Sequence, residues 1–141
     1  MKFLLDTCVI SELSKKKPTP CVVKWISSIN ENNLFISALT IGEIYKGIEK
    51  LPSSTKKSAL YSWLAHDLEE RFHNRILAFD TAVAATWGKI QAQSELAGKS
   101  LPIIDGQIAA TGIYHNLVIV TRNVSDMEAS KGNLYNPWEG N

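Results

Sequence analysis

The residues Leu101-Pro-Ile-Ile-Asp105-Gly-Gln-Ile-Ala-Ala-Thr111 are followed closely by Leu117-Val-Ile-Val-Thr-Arg-Asn123-Val-Ser-Asp126. The first segment reads as a helix with Pro102 near its first position, where a missing N–H has no partner to lose. Asp105 falls in the opening turn, and Asn116 is a stop residue because it tolerates the left-handed conformation. Leu117 to Val120 is a short unbroken apolar run, the mark of a strand buried on both faces of a parallel sheet. Thr121, Arg122, Asn123 and Asp126 come just after that strand, where open α/β sheets bind their ligands. One carboxylate opens a helix and another follows the next strand, so both can face one crevice.

Upstream, Phe3 to Leu5 predicts a strand ending at Asp6, and Val9 to Leu13 a brief helix. Pro20 to Ile29 predicts a second helix, with Val22, Val23, Trp25, Ile26 and Ile29 at helical spacing. Leu34 to Ser37 is the next strand, and Thr40 opens a helix to Lys50 with Glu43 in its first turn. A long helix follows from Thr55 to Phe72, then a strand over Arg75 to Ala78 that leads into Asp80. Thr81 to Leu96 is helical and Gly98 closes it. Leu134 and Tyr135 form an edge strand. This alternation predicts an α/β fold: a three-layer α/β/α sandwich with a central, mainly parallel sheet, in one domain over residues 1–141.

Hydrophobic residues make up 45% of the chain and charged residues 21%, an ordinary globular mixture. A net charge of +1 excludes a polybasic nucleic-acid binder on composition alone. A cluster of acids in a cleft would then be balanced by basic residues elsewhere. Cys8 and Cys21 form neither a C-x-x-C pair nor a zinc spacing, which predicts reduced thiols in a cytoplasmic protein. The apolar stretch before Asp6 is too short for a signal peptide, and no run approaches the ~20 apolar residues of a membrane span.

Asp6, Glu43, Asp80, Asp105 and Asp126 all follow strands or open helices, and each has a plain structural explanation. Asp6 and Asp80 can cap the helices after them. Thr40-Ile-Gly-Glu43 fits a capping box, in which Glu reaches back to the cap's own N–H. Asp105 favours the positive end of its helix, and Asp126 fits a solvated loop. As a set they say more, because the carboxyl ends of the central strands converge and caps alone do not require the acids to meet. Anionic side chains gathered there repel one another, and a divalent cation relieves the repulsion. Mg²⁺ suits such oxygen donors, as a single ion or a pair. Thr7, Thr121 and Asn123 are placed to support the acids, and Asp80 is left as a cap.

Other chemistries find less support. His66, His73 and His115 show no ligand spacing. No serine lies in a G-x-S-x-G setting, and the glycines fit no phosphate loop. Lys15, Lys16, Lys17, Lys46, Lys50, Lys56, Lys57, Arg75 and Arg122 can line a phosphate-binding rim, with Arg122 nearest the acids. Trp25, Trp63 and Trp87 read as core or interface. The surface left by the 40–50 and 55–72 helices can hold a partner helix or strand.

Four stretches carry a resemblance: Leu4-Leu-Asp6-Thr-Cys-Val-Ile-Ser-Glu-Leu13, Ser37-Ala-Leu-Thr-Ile-Gly-Glu43-Ile, the Leu101 to Thr111 segment, and Val120-Thr-Arg-Asn123-Val-Ser-Asp126. With the closing Asn136-Pro137-Trp138, they resemble the PIN-domain ribonucleases, and among these the VapC-type toxins of the FitB-like branch. The resemblance implies a Mg²⁺- or Mn²⁺-dependent endoribonuclease acting on single-stranded or loop RNA, often tRNA. It implies a cognate antitoxin whose tail occupies the active-site groove, homodimers within larger toxin–antitoxin assemblies, and DNA contact only through the antitoxin. By the same resemblance Asp6, Glu43, Asp105 and Asp126 are the metal-binding and catalytic carboxylates; Arg122 and Lys46, from the basic rim, are expected at the RNA. One departure stands out: Cys8 replaces an Asn frequent in that branch, and thiols hydrogen-bond more weakly. Two alternatives remain at this point. One is a non-catalytic RNA-binding or regulatory PIN-domain protein. The other is a phosphoacceptor receiver, although Thr7 and Cys8 stand where that class wants a second acid.

Overall fold

The computed structural model describes residues 1–139. In chain order it contains β1 (Phe3–Leu5), α1 (Thr7–Leu13), α2 (Pro20–Ser28), β2 (Leu34–Ser37), α3 (Ala38–Glu49), α4 (Thr55–Ser62), α5 (Glu69–Arg71) and β3 (Ile76–Leu77). Then come α6 (Thr81–Leu96), α7 (Ile103–Tyr114), β4 (Val118–Val120), α8 (Val124–Met127) and β5 (Leu134–Tyr135). A π-helical stretch, Trp63–Leu68, joins α4 to α5, so the expected long helix is present with one over-wide segment in it.

The five strands lie in the order β3-β2-β1-β4-β5, and every pairing is parallel. That order differs from the 2-1-3-4-5 order of receiver domains. Period-two alternation divides the sheet residues between two cores. Phe3, Leu5, Leu34, Ile36 and Val120 face Val9, Val22, Ile48, Leu64 and Phe72 from the helices of the first half. Leu4, Leu117 and Ile119 face Ile108, Ala109 and Met127 on the other side. Each fully buried Leu or Ile contributes ~1.5–3 kcal/mol. The central strands read as unbroken apolar runs because both of their faces are covered.

Close packing of α7 on β4 depends on Gly112. A Cβ there would stand 2.5 Å from Ile119 Cγ1, so a side chain fits only if the Ile119 side chain shifts. Gly98 at φ +68° and Asn116 at φ 58° end α6 and α7 in the left-handed conformation, as their sequence positions predict.

Several boundaries differ from expectation. Thr40 does not open α3: Ser37 caps it, its Oγ accepting from Leu39 N–H at 3.0 Å, and Thr40 is buried within the helix. Pro102 occupies the cap of α7, one residue before the helix, with ψ 143°. Asp126 lies in the short helix α8 and not in a loop. The third strand keeps only Ile76 and Leu77, while Arg75 hydrogen-bonds β2's Leu34 O and the Glu31 carboxylate. No helix among the described residues is long and apolar enough to cross a membrane.

Candidate active site

In the observed order the strand sequence reverses direction between β1 and β4, and the crevice of an open α/β sheet forms outside the carboxyl ends of such a pair. Asp6 follows β1 there. Its N–H donates to Val120 O at 2.9 Å, which extends the β1–β4 ladder by one step and fixes its carboxylate at the strand end. Oδ1 accepts from Thr7 N–H at 2.8 Å, as expected of a cap. Oδ2 accepts from Thr121 Oγ1 at 2.8 Å and from Cys8 Sγ at 3.6 Å. The side chain is only 3% exposed, and burial raises its pKa despite these donors, with the Glu43 charge adding to the rise.

Glu43 faces the same crevice from α3. The capping box is not formed; Glu43 Oε1 instead accepts from Thr7 Oγ1 at 2.6 Å, with Thr40 Oγ1 3.1 Å from the same hydroxyl. Thr7 thus links α1 to α3 through a carboxylate. Asp105 is half-buried in the first turn of α7, and its pKa is pushed up to about 6. Burial contributes most, followed by the negative charges of Asp6, Asp126 and Glu43. Asp126 is exposed on α8. The four acids therefore share one electrostatic site, although they come from four separate segments. Among the described residues no Lys, Arg or His forms an ion pair with any of them.

This donor set fits a hard divalent cation: oxygen ligands only, excess negative charge and no internal counter-ion. Among the described residues no three such side chains are already gathered so as to hold an ion. Mg²⁺ commonly takes only one or two carboxylates directly, with waters completing the shell.

The other sequence candidates divide. Thr7 and Thr121 contact the acids directly, whereas Asn123 contributes only its N–H, which donates to Thr121 Oγ1 at 2.9 Å. Cys8 does reach Asp6, and its Sγ also lies 3.7 Å from Thr121 Oγ1 and accepts from Arg122 N–H at 3.4 Å. Burial, then the Asp6 charge, pushes the thiol up to about 11, so it stays protonated and able to donate. Arg122 is exposed with its guanidinium over the Trp138 ring. Lys46 is exposed on α3, three residues beyond Glu43 and hence on the same side of the helix. Asp80 caps α6, accepting from Val83 N–H at 3.0 Å, as read from sequence. The three histidines are exposed. Thr40 was missed as a site residue, because S/T-x-x-E describes a cap equally well and Ser37 sat three positions earlier as a rival.

Beside Thr7 and Glu43 a groove of about 190 Å³ runs along Ile44, Ile48 and Leu60 to Trp63. It opens into a depression of about 960 Å³ rimmed by Lys15, Lys16 and Lys56.

Comparison with known proteins gives this arrangement a family. Residues 3–125 match the PIN domain model. The chain is 36% identical over 135 residues to Toxin FitB of Neisseria gonorrhoeae, covering 96% of this chain and 97% of that protein. It is 33% identical to VapC ribonuclease Y4jK of Sinorhizobium fredii, at 96% and 97% coverage. Among solved structures it is similar to FitAcB from Neisseria gonorrhoeae, with a TM-score of 0.92 at 36% identity over 97% of this chain and 99% of that one. FitAB bound to an IR36 DNA fragment also gives a TM-score of 0.92, at 34% identity over 99% and 97% of the two chains. PIN-domain nucleases generally depend on a divalent metal. The fold, the strand-end carboxylates and the near full-length matches agree: the chain belongs to the PIN-domain family, in the group that includes Toxin FitB and the VapC ribonucleases.

Proposed function

We propose that this protein is a Mg²⁺-dependent endoribonuclease, with Mn²⁺ as a substitute ion, and the toxin of a toxin–antitoxin pair. The observation that carries the reading is geometric: Thr121 and Thr7 fix Asp6 at the end of β1, Thr7 Oγ1 ties Glu43 of α3 to the same place, Asp105 and Asp126 follow on α7 and α8, and among the described residues no Lys, Arg or His pairs with any of the four. Asp6, Glu43, Asp105 and Asp126 would hold the ion. When bound, it supplies an activated water and charge neutralisation for in-line displacement at phosphorus.

The chain's own residues do the rest. Thr121, Thr7 N–H and Cys8 hold the Asp6 carboxylate to one orientation, and Thr7 Oγ1 holds Glu43. Arg122, just after β4, and Lys46, on α3, are exposed and contact RNA phosphates. The substrate is tRNA or another structured RNA with single-stranded loops. Relatives named tRNA(fMet)-specific endonuclease VapC, from Shigella flexneri and Salmonella typhimurium, support that class at 27% and 30% identity. The partner is a cognate antitoxin, whose tail fills the apolar groove running from Glu43 to Trp63; several similar structures are toxin–antitoxin complexes, some bound to DNA. The protein acts in the cytoplasm as a single domain over residues 1–141, pairs as a homodimer and meets DNA only through the antitoxin.

Incubation of the free protein with total RNA, in EDTA and then with Mg²⁺ or Mn²⁺ restored, followed by end mapping, tests the reading. Cleavage abolished by EDTA, restored by either ion and lost in Asp105→Asn supports it. RNA binding without cleavage under every condition overturns it in favour of a non-catalytic PIN-domain protein.

A further inference from the structure

The Asn136-Pro137-Trp138 turn takes no part in the site described so far, yet it ends beside it. Thr121 N–H donates to Tyr135 O at 2.9 Å, so the chain leaving β5 emerges at the same end of the sheet as the chain leaving β4. Asn136 Oδ1 accepts from Trp138 N–H at 2.9 Å, an Asx turn that fixes where the indole goes. Pro137 is buried, and Cys21 Sγ of α2 donates to Trp138 O at 3.6 Å. The indole packs against the larger core, and the Arg122 guanidinium lies over its ring, 5.3 Å from Cζ to centroid.

Arg122 is exposed, and its side chain makes no hydrogen bond or ion pair within the described residues. The carboxylates of the crevice are the obvious partners for a cation in this loop, yet among the described residues Arg122 forms no ion pair with any of them. The contact with the ring uses none of the guanidinium's N–H donors in a hydrogen bond, so they stay free to fork onto an oxyanion. A cation placed beside an acid-lined crevice, but held off the acids, suits an anion that must be brought to them.

Resting on the ribonuclease reading above, we propose that Trp138 is a positioning residue that holds the Arg122 guanidinium over its ring, so that Arg122 captures one backbone phosphate of an RNA strand entering the carboxylate crevice. Trp138 acts through Arg122 and not by stacking on a base. Its removal therefore matters only while Arg122 is present.

Binding of labelled single-stranded RNA to the full chain carrying Asp105→Asn, with Mg²⁺ and over a range of salt, tests this. Arg122→Gln should weaken binding about tenfold and reduce the log–log salt slope by ~0.7. Trp138→Leu should weaken it ~2- to 5-fold, Trp138→Phe by less, and the Arg122→Gln/Trp138→Leu double variant no more than Arg122→Gln alone. In the cleaving chain, Trp138→Leu should raise KM and leave kcat. If Trp138→Leu melts early, the same coupling is read from Trp138→Phe, whose small loss should vanish in the Arg122→Gln background. Additive losses, or unchanged binding in the Trp138 variants, overturn the proposal while metal-dependent cleavage leaves the ribonuclease reading standing. Coupled losses without cleavage by the parent chain do the reverse. A chain that binds no RNA loses both.

Discussion

Asp105→Asn should make the metal-free protein more stable while removing its activity. Burial and the charges of Asp6, Asp126 and Glu43 raise Asp105 from 3.8 to about 6 in the folded chain. The native state then binds this proton more tightly than the unfolded chain does. The resulting stability is fully present below 3.8 and lost as pH rises through about 6. That gap corresponds to about 3 kcal/mol. Asp105 is partly open to water, and screening reduces the figure to ~1–2 kcal/mol. Asn keeps the size of the side chain and removes the charge. In EDTA at about pH 8 the variant should melt ~3–6 °C above the parent, and the difference should be markedly smaller at about pH 4.5 and vanish only below 3.8. Added Mg²⁺ should reverse the order, because an ion that binds only the folded parent stabilises it by mass action. Differential scanning calorimetry at the two pH values, with and without Mg²⁺, reads all three effects. A variant that melts at or below the parent at the higher pH, or a gap that ignores pH, would refute the argument that the acids repel one another here.

Thr7→Val deletes the hydroxyl that holds Glu43, and should weaken Mg²⁺ affinity in an activity titration by ~10- to 100-fold without unfolding the protein. Cys8→Asn replaces a weak donor to Asp6 with an amide. Its kcat should equal or exceed that of the parent, and a loss greater than tenfold would show that the thiol itself is required. Gly112→Ala forces a Cβ to within 2.5 Å of Ile119 Cγ1 and should lower stability in urea by ~1–3 kcal/mol.

Much of the fold was legible because its signals are local. The apolar runs at Phe3–Leu5, Leu34–Ser37 and Val118–Val120 are short and unbroken, as strands covered on both faces must be. The α6 helix matched from Thr81 to Leu96, since Asp80 and Gly98 supply both its stops. Local patterns failed where two residues competed for one role. Ser37 and Thr40 both suit a helix cap, and Ser37 took it because β2 delivers the chain into α3 at that residue. Thr40 was left to be buried beside Thr7. The π-helical stretch at Trp63–Leu68 has no signature in residue type, and it carries Leu64 and Leu68 into the core.

The sequence by itself determined which residues carry charge, where strands and helices alternate, and that acids follow the strand ends; these depend on neighbours a few positions apart. Only the tertiary structure decided what those groups do to one another. Thr121 reaches Asp6 from 115 positions away, Thr7 rather than a helix N–H holds Glu43, and Trp138 rather than a carboxylate holds Arg122. Hydrogen bonds, stacking and charge–charge repulsion act over a few ångströms of space, and the parallel β1–β4 pairing that brings these groups within that range is made by a chain that leaves the sheet and returns.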